Sequence, residues 1–501
     1  MPGVNVTTAV RTGPVGAGDV VAGQFFVAGV TERGPIDEPL LVRSFAEYVT
    51  VYGDYEEGNL YSSVKTYFDE GGSRCYVIRV TDTTGVGASA GVAGSLTLVD
   101  GSAVDAMTIT ADNVGDWSDN LTISIVAADT LDPGFRVIVK LKGVKLLETP
   151  DFATVAAAVS YLNTSSVSHL IVASDEGNSV IPAIISDAAL SGGYDGGTPD
   201  YSDLAAALAL FPKNLGPGAV AAPGFNGTNV WNALADHAVA ADRIAICGFA
   251  PSTSADVAKS TVAAYGSDSR SSYMGFYFPH ILVPSPSIDE IGAGATAPGT
   301  PTITISPEAF VAAARAKATQ KAGGPWRAGA GQISSATSVS GLAVSLSPSD
   351  ANLLDDARVN AIRVVGNQIR VYGARSASSD EANWRFITLR DTVNFVVHGV
   401  EARMEQFVFE TVDGRGNLFA NMRASIKGFL EPIRVAGGLY EAFDSDGNQV
   451  DPGYSVQVDS TINPATQLAT GLVKANVGIR VSSVADKINI TITKSNLTAP
   501  V

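Results

Sequence analysis

The stretch AVAAPGFNGTNVWNALADHAVAADRIAICGF, residues 219–249, decides the architecture. Its apolar opening, 219–222, reads as a buried strand, which Pro223 and Gly224 break. Residues 230–240 have the composition of a helix, and 243–249 are a second apolar strand. A helix of this length between two such strands predicts a parallel pair, because parallel strands need a long crossover between them.

The alternation continues outward. A helix is expected over 203–210, a second over 255–265 and an apolar strand stretch over 274–283. A Pro/Gly/Ala-rich loop covers 286–303. Ser306-Pro307-Glu308 then opens a helix over 309–321, with Ser306 as N-cap and Pro307 at its first position. Near the start, strands at 24–30 and 75–80 flank helices at 44–52, capped by Ser44, and at 60–70. Residues 84–94 are small and flexible in character and mark a boundary. The following hundred residues differ: strands at 95–98, 107–110, 121–126 and 135–141, then a helix over 152–162, make an α+β insert. It ends at the glycine-rich loop 191–197.

The last 110 residues begin with two amphipathic helices. Val393, Val397, Val400, Met404 and Phe407 fall on one helical face, as do Phe419, Met422, Ile426, Phe429 and Ile433. Ile488, Ile490 and Ile492 alternate with polar residues, the period of a half-buried strand. Val477, Ile479 and Val481 alternate likewise. At the other end Val4 and Val6 alternate with Asn5 and Thr7 but have no local hairpin partner.

The 501 residues imply two to four domains. Apolar residues make up 46 %, enough to fill their cores, while charged residues are only 17 %, below the roughly 25 % of an average soluble chain. A surface covered by Ser, Thr, Asn, Gly and Ala suits permanent burial in an assembly. A net charge of −17 argues against nucleic acid as a partner, since phosphate binding needs a basic field. No apolar run is long enough for a membrane span and no secretion signal is expected.

Chemistry is sparse. Cys75 and Cys247 sit in apolar runs and read as core residues. His169, His237, His280 and His398 lack metal-ligand spacing, and no nucleophile elbow, Walker A or dinucleotide fingerprint occurs. Asp444-Ser445-Asp446-Gly447-Asn448 has its glycine at the wrong place for a calcium loop and reads as a hairpin turn. Neither catalytic, cofactor nor metal residues are expected. Arg423, Lys427 and Arg434 form a basic stripe if the helix survives Pro432; its plain alternative is a solvated face with Lys427 paired to Glu431.

Several segments, in order, resemble one family, the tail sheath proteins of contractile phage tails. The first is Phe26-Val27-Ala28-Gly29-Val30-Thr31-Glu32-Arg33-Gly34-Pro35, followed by Gly71-Gly72-Ser73-Arg74-Cys75-Tyr76-Val77-Ile78-Arg79-Val80. Gly115-Asp116-Trp117-Ser118-Asp119-Asn120-Leu121 and Leu190-Ser191-Gly192-Gly193-Tyr194-Asp195-Gly196 come next. The strongest stretch runs from Leu346-Ser347-Pro348 through Asn360-Ala361-Ile362-Arg363 to Val371-Tyr372-Gly373-Ala374-Arg375 and Trp384-Arg385-Phe386-Ile387. Small departures are Tyr372 for a usual Trp, Ser376 for a usual Thr, and Asp391 after Arg390, where a second Arg is common.

The resemblance implies a multidomain α/β fold. Residues 1–22 would be an N-terminal arm. A subtilisin-like α/β central domain would use 23–94 and 191–385, around an outward-facing α+β insert at 95–190. A C-terminal inner α+β domain, 386–486, and a C-terminal arm strand, 487–501, would follow, the inner domain being completed by exchanged strands. It implies a structural subunit without enzymatic activity, polymerised helically around a tail tube and contracting from a metastable state to drive that tube through a cell envelope. Partners would be copies of itself, the tube protein, and baseplate and tail terminator proteins, with no nucleic acid and no membrane insertion. Its place would be the virion tail, after assembly in the host cytoplasm. Val4, Val6, Ile488, Ile490 and Ile492 would be donated strands, hinged at 13–18. Val477, Ile479 and Val481 would be the accepting edge, and Arg423 and Lys427 candidates for tube contact. A phage-like bacteriocin or extracellular injection system would use a similar sheath. A hydrolase on the subtilisin-like fold, or a secreted adhesive or surface-layer protein, are rivals weakened by the missing triad motifs and the missing signal.

Overall fold

The computed structural model describes residues 21–58, 60–82, 90–287 and 299–488. Val4, Val6, the expected hinge at 13–18, Ile490 and Ile492 lie outside these residues.

An eight-stranded sheet organises the chain. Its order is Gln368–Val371, Val359–Val365, Met274–Phe278, Ile244–Cys247, Gly218–Ala221, Gln24–Gly29, Cys75–Arg79 and Leu40–Val42. The six inner strands run parallel and the two edge strands antiparallel. Parallel strands linked by crossovers are covered on both faces, so they carry continuous apolar runs. Phe26, Val220, Ala245 and Phe276 face the helices Tyr201–Ala209, Thr228–Ala240, Ala255–Tyr265 and Pro348–Asp356. Phe25, Val27, Val77 and Ile246 face Phe45–Tyr52, Tyr61–Asp69 and Glu308–Ala322. The last helix is alanine-rich and buried along most of its length, the pattern of a helix enclosed on all sides.

Two local expectations are corrected. The stretch 274–283 is two strands: Met274–Phe278 in the large sheet and Ile281–Pro284 in a separate three-stranded sheet, because Pro279 cannot continue the ladder. Ser306 does not cap the helix Glu308–Ala322; Pro307 occupies the N-cap position and the Ser306 hydroxyl has no partner among the described residues. Ser44, by contrast, accepts from the Glu47 amide at 3.1 Å.

A fully buried guanidinium braces the central domain. Arg243 donates to the carbonyls of Phe211 (3.0 Å), Pro212 (2.7 Å) and Gly216 (3.1 Å), and its plane lies 3.6 Å over the Phe26 ring. Among the described residues no carboxylate pairs with it, and burial pulls its pKa down to about 9. The neighbouring His237 Nε2, 2.8 Å away, can only accept; burial and the Arg243 charge hold its pKa at about 3.

Residues 95–190 carry a core of their own around Met107, Ile109, Trp117, Ile123, Val137 and Leu162. Two antiparallel sheets, of four and three strands, pack with the helix Val155–Leu162. The contacts joining this unit to the large sheet include charged ones. Lys142 Nζ lies 2.8 Å from both Glu32 Oε1 and Asp54 Oδ2. Arg79, ending a central strand, donates to the Val114 carbonyl at 2.7 Å and to Asp195 Oδ1 at 3.1 Å. Glu56 is exposed here, and partial desolvation, with Glu32, Asp195 and Asp116 close by, pushes it up to about 7. Burial and a hydrogen bond shared with Asp116 raise Asp195 to about 6.

Candidate assembly interface

The C-terminal region hangs on one helix, Ile387–Met404, which has a core on either side. Phe395 and Val396 pack with Val400, Met404 and Phe407 into the C-terminal core. The helix also buries polar residues against the central domain. Asp391 takes a bidentate pair from Arg315 at 2.7 Å and 2.7 Å. Asn394 Nδ2 donates to the Arg243 carbonyl at 3.3 Å, and His398 Nε2 lies 3.2 Å from the Ala241 carbonyl. The expected apolar stripe is therefore only partly right. Val393 and Val397 are half-buried while Thr392, Asn394 and His398 are buried, because satisfied polar side chains dock here as well as apolar ones.

The second helix, Asn417–Val435, follows its periodicity closely: Phe419, Met422, Ile426, Phe429 and Ile433 are all buried. It runs past Pro432, so Arg434 does belong to the helix. Gly399 lets the two helices meet, since a Cβ there would stand 1.9 Å from Phe429 Cζ.

Beyond it lie two short hairpins. In the first, Ala442–Phe443 pairs with Gln449–Asp451 across the 444–448 turn, where Asp444 accepts from the amides of Asp446 and Asn448. In the second, Tyr454–Gln457 pairs antiparallel with Asn476–Ile479. Arg480 N donates to the Gly453 carbonyl at 2.7 Å, its own carbonyl accepts from Tyr440 N at 2.7 Å, and Ser482 N donates to Gly438 at 3.1 Å. A strand residue aims its N–H and C=O to one side, and the side alternates along the chain. The even-numbered residues thus bond the hairpin, and the backbone groups of Val477, Ile479 and Val481 point the other way. No strand of the described residues pairs with that edge. The side chains of Val477 and Ile479 meanwhile pack on the C-terminal core.

The chain then leaves its sheet. Asp486 Oδ2 lies 3.0 Å from Arg385 Nη2 and 3.7 Å from Arg375 Nη2, back on the central domain. Ile488, two residues on, is exposed.

The basic stripe divides. Arg423 is half-buried and donates to the Val458 carbonyl at 3.1 Å, so it supports the fold. Lys427 is exposed. Its expected partner Glu431 is engaged elsewhere, by Arg434 at 2.5 Å and Tyr454 at 2.9 Å. A further feature has no counterpart in the sequence reading. In the loop between the two helices Phe409 is fully exposed, with φ +67°, and Val408 and Val412 are exposed beside it.

Among the described residues no group of His, Cys, Asp and Glu is arranged to hold a metal, and no helix is long and apolar enough to cross a membrane. Cys75 and Cys247 are buried free thiols, pushed far up by desolvation.

No protein-family model matches the chain, and no curated protein matches it in sequence. Solved structures do. A chain of the contracted helical sheath of the anti-feeding prophage matches with TM-score 0.55 and 16 % identity, over 99 % of each chain. One from the contracted sheath complex of an extracellular contractile injection system, PVC, matches with TM-score 0.54 and 15 % identity, over 99 % of this chain and 98 % of that one. The sheath tail protein of Listeria innocua gives TM-score 0.59 and 13 % identity over 88 % and 89 %. The chain therefore has the fold of contractile sheath proteins.

Proposed function

We propose that this chain is the structural subunit of a contractile sheath. Many copies wind helically around a rigid tube and pass from an extended, metastable packing to a shorter and wider one, which drives the tube through a cell envelope. The observation that carries this reading is the likeness of fold, over nearly the whole chain, to subunits of contracted helical sheaths. Two packings of one rigid subunit are what such a machine requires. A head-to-tail contact whose rotation does not close generates the helix.

The linkage between subunits is β-augmentation. The open edge of Asn476–Ile479 accepts strands carried by the chain ends, Val4 and Val6 at one and Ile488, Ile490 and Ile492 at the other. An unpaired edge invites such addition, and main-chain bonds make it while alternate side chains fix the register. The central domain is subtilisin-like, the 95–190 unit faces outward, and the C-terminal domain lies innermost against the tube. There Lys427 is the candidate tube-facing charge; Arg423 holds the domain together. Tube, baseplate and terminator proteins complete the set of partners, and the subunit catalyses nothing. A phage tail, assembled in the host cytoplasm, and an extracellular injection system both use such a part; a neighbouring capsid and terminase gene would mark the phage.

Negative-stain microscopy of the purified chain tests this. Striated or cogwheel-edged cylinders are expected, and dispersed monomers at every concentration would overturn it. Deletion of residues 1–20 should leave a folded subunit that forms no cylinder. Turnover of casein or an ester, abolished by replacing one Ser or His of the chain, would refute the non-enzymatic reading.

A further inference from the structure

The open edge at Val477, Ile479 and Val481 and the exposed Ile488 belong to one chain, with only Ser482 to Lys487 between them. A connection of that length suits an ordinary hairpin. A tail tethered so close to an unpaired edge meets it at an effective concentration in roughly the millimolar range. Left to itself, this tail would fold back on its own sheet, and neither strand nor edge would remain for a neighbour.

The tail is held elsewhere. Ser482 N still donates to the Gly438 carbonyl at 3.1 Å, inside the C-terminal domain. A few residues on, Asp486 sits on the central domain, its Oδ2 3.0 Å from Arg385 Nη2 and 3.7 Å from Arg375 Nη2. Lys487 Nζ lies 3.9 Å from Asp355 Oδ2. The receiving groups are already fixed: Arg375 donates to both oxygens of Asp355 at 3.0 Å and 2.8 Å, and Arg385 Nη1 lies 2.9 Å from Glu381 Oε2. The neighbouring acid and base of the tail thus meet a base and an acid of the central domain. Arg375, Arg385 and Lys487 balance Asp355, Glu381 and Asp486. A lone exposed pair is worth little, but here several charges form a network around a guanidinium side chain only 5 % exposed. Desolvation opposes ionisation of Asp486, yet the hydrogen bond from Arg385 and the charges of both arginines hold its carboxyl below the usual carboxylate range. The network stands at the start of the linking helix; Phe395, where that helix enters the C-terminal core, is about 12 Å along it from Ile387.

Resting on the strand linkage proposed above, we propose that Asp486 and Lys487 clasp the C-terminal tail to the central domain and so keep its strand from pairing with its own edge, leaving both for other copies of the chain. Exchange of identical elements between copies competes with closure inside one copy. The clasp shifts that competition by drawing the connection from Ser482 to Lys487 onto Arg385 and Asp355. Its residues act by position, and none of them needs to join the strand ladder.

Cross-linking of the full chain tests it. Arg480→Cys with Asn489→Cys puts one thiol beside the open edge and one on the tail, and Cys75 and Cys247 are buried, so the background is low. With the clasp intact, a short bis-maleimide should join different copies into a covalent ladder. Adding Asp486→Ala should turn most of the product into chains linked within themselves. It should also raise the concentration needed for cylinders roughly fivefold, the worth of one charge pair of this kind. The thermal transition of the subunit should stay where it is. Arg385→Glu should reproduce the defect, and joining it with Asp486→Arg should restore both ladder and assembly, which a general loss of stability would not allow. An Asp486→Ala chain that ladders and assembles like the wild type would overturn the clasp and leave the sheath reading standing. So would cylinders in which the chain with its clasp intact is linked only within itself. If the wild type forms no cylinder, both fall.

Discussion

The strands Gly218–Ala221 and Asn476–Ile479 are each four residues long, yet they have opposite lives. The first is bonded along both edges and every residue is buried. The second is bonded along one edge and alternates exposed with half-buried. The central domain builds an eight-stranded sheet from its own chain, with a short antiparallel strand at each edge. The described part of the C-terminal domain holds only two-stranded pieces, which are marginal alone. One region is built to stay as it is, and the other to be finished by addition.

The sharpest way to break this contrast is to damage the closed region. Arg243→Ala strands three carbonyls and uncovers Phe26, and should destabilise the central domain by about 3–5 kcal/mol, read as a lost or strongly lowered thermal transition. A variant that melts like the wild type would show that the domain does not depend on this brace. Next comes the open edge. Val477→Pro removes an N–H that points away from the hairpin, whereas Gly478→Pro removes one that points into it. The first should fold but fail to polymerise, and the second should lose roughly 3 kcal/mol of local stability. Equal polymerisation of Val477→Pro and wild type, followed by sedimentation, would mean that the edge accepts nothing.

A smaller effect sharpens the comparison at the insert. Glu56 is exposed, but partial desolvation beside Glu32, Asp195 and Asp116 holds it at about 7, well above its unfolded value. Between those two values the folded state binds the extra proton, so this contribution to stability falls as pH rises and is restored on acidification. Because solvent screens an exposed group, Glu56→Gln should raise the melting temperature only slightly at pH 8 and change it little at pH 4. The four histidines titrate alike in both proteins and drop out of the difference. A stabilisation that does not vary with pH would contradict the neighbouring acids and partial desolvation as its cause. Smallest of all, Lys427→Glu should alter subunit stability by less than about 0.5 kcal/mol while weakening association with the tube at low salt. Unchanged co-sedimentation would remove Lys427 from that surface.

What could be read in advance follows the same divide. The crossover pattern around residues 219–249 announces the parallel strands and their helices, since continuous apolar runs and alternating lengths are local signals. Ser44 is legible as a cap for the same reason. Ser306 is not, because Pro307 takes the capping position itself and leaves Ser306 one residue outside it. The linking helix misleads by its polar residues: Asn394 and His398 look solvent-facing until a second domain supplies carbonyls for them. Asp391, unusual after Arg390, finds its reason in Arg315, 76 residues earlier in the chain. The strand edge at Val477, Ile479 and Val481 is visible as a period of two. Phe409 is not, because an aromatic in a short apolar run reads as core, and only the backbone conformation turns it outward.

The central sheet also sets a schedule for synthesis. Gln24–Gly29 lies between Cys75–Arg79 and Gly218–Ala221, so one of its neighbours is made soon after it and the other only after the whole insert. At about 5–20 residues per second, translation leaves the edge carrying Phe25 to Ala28 without its second partner for roughly ten to forty seconds. The insert, with its own core, can meanwhile fold as it leaves the ribosome. Chains arrested soon after residue 200 should then show residues 95–190 resisting protease while 24–79 are cut, and the reverse pattern would disprove this order. The neighbourhood of Phe26 is where a nascent chain of this protein most needs a chaperone.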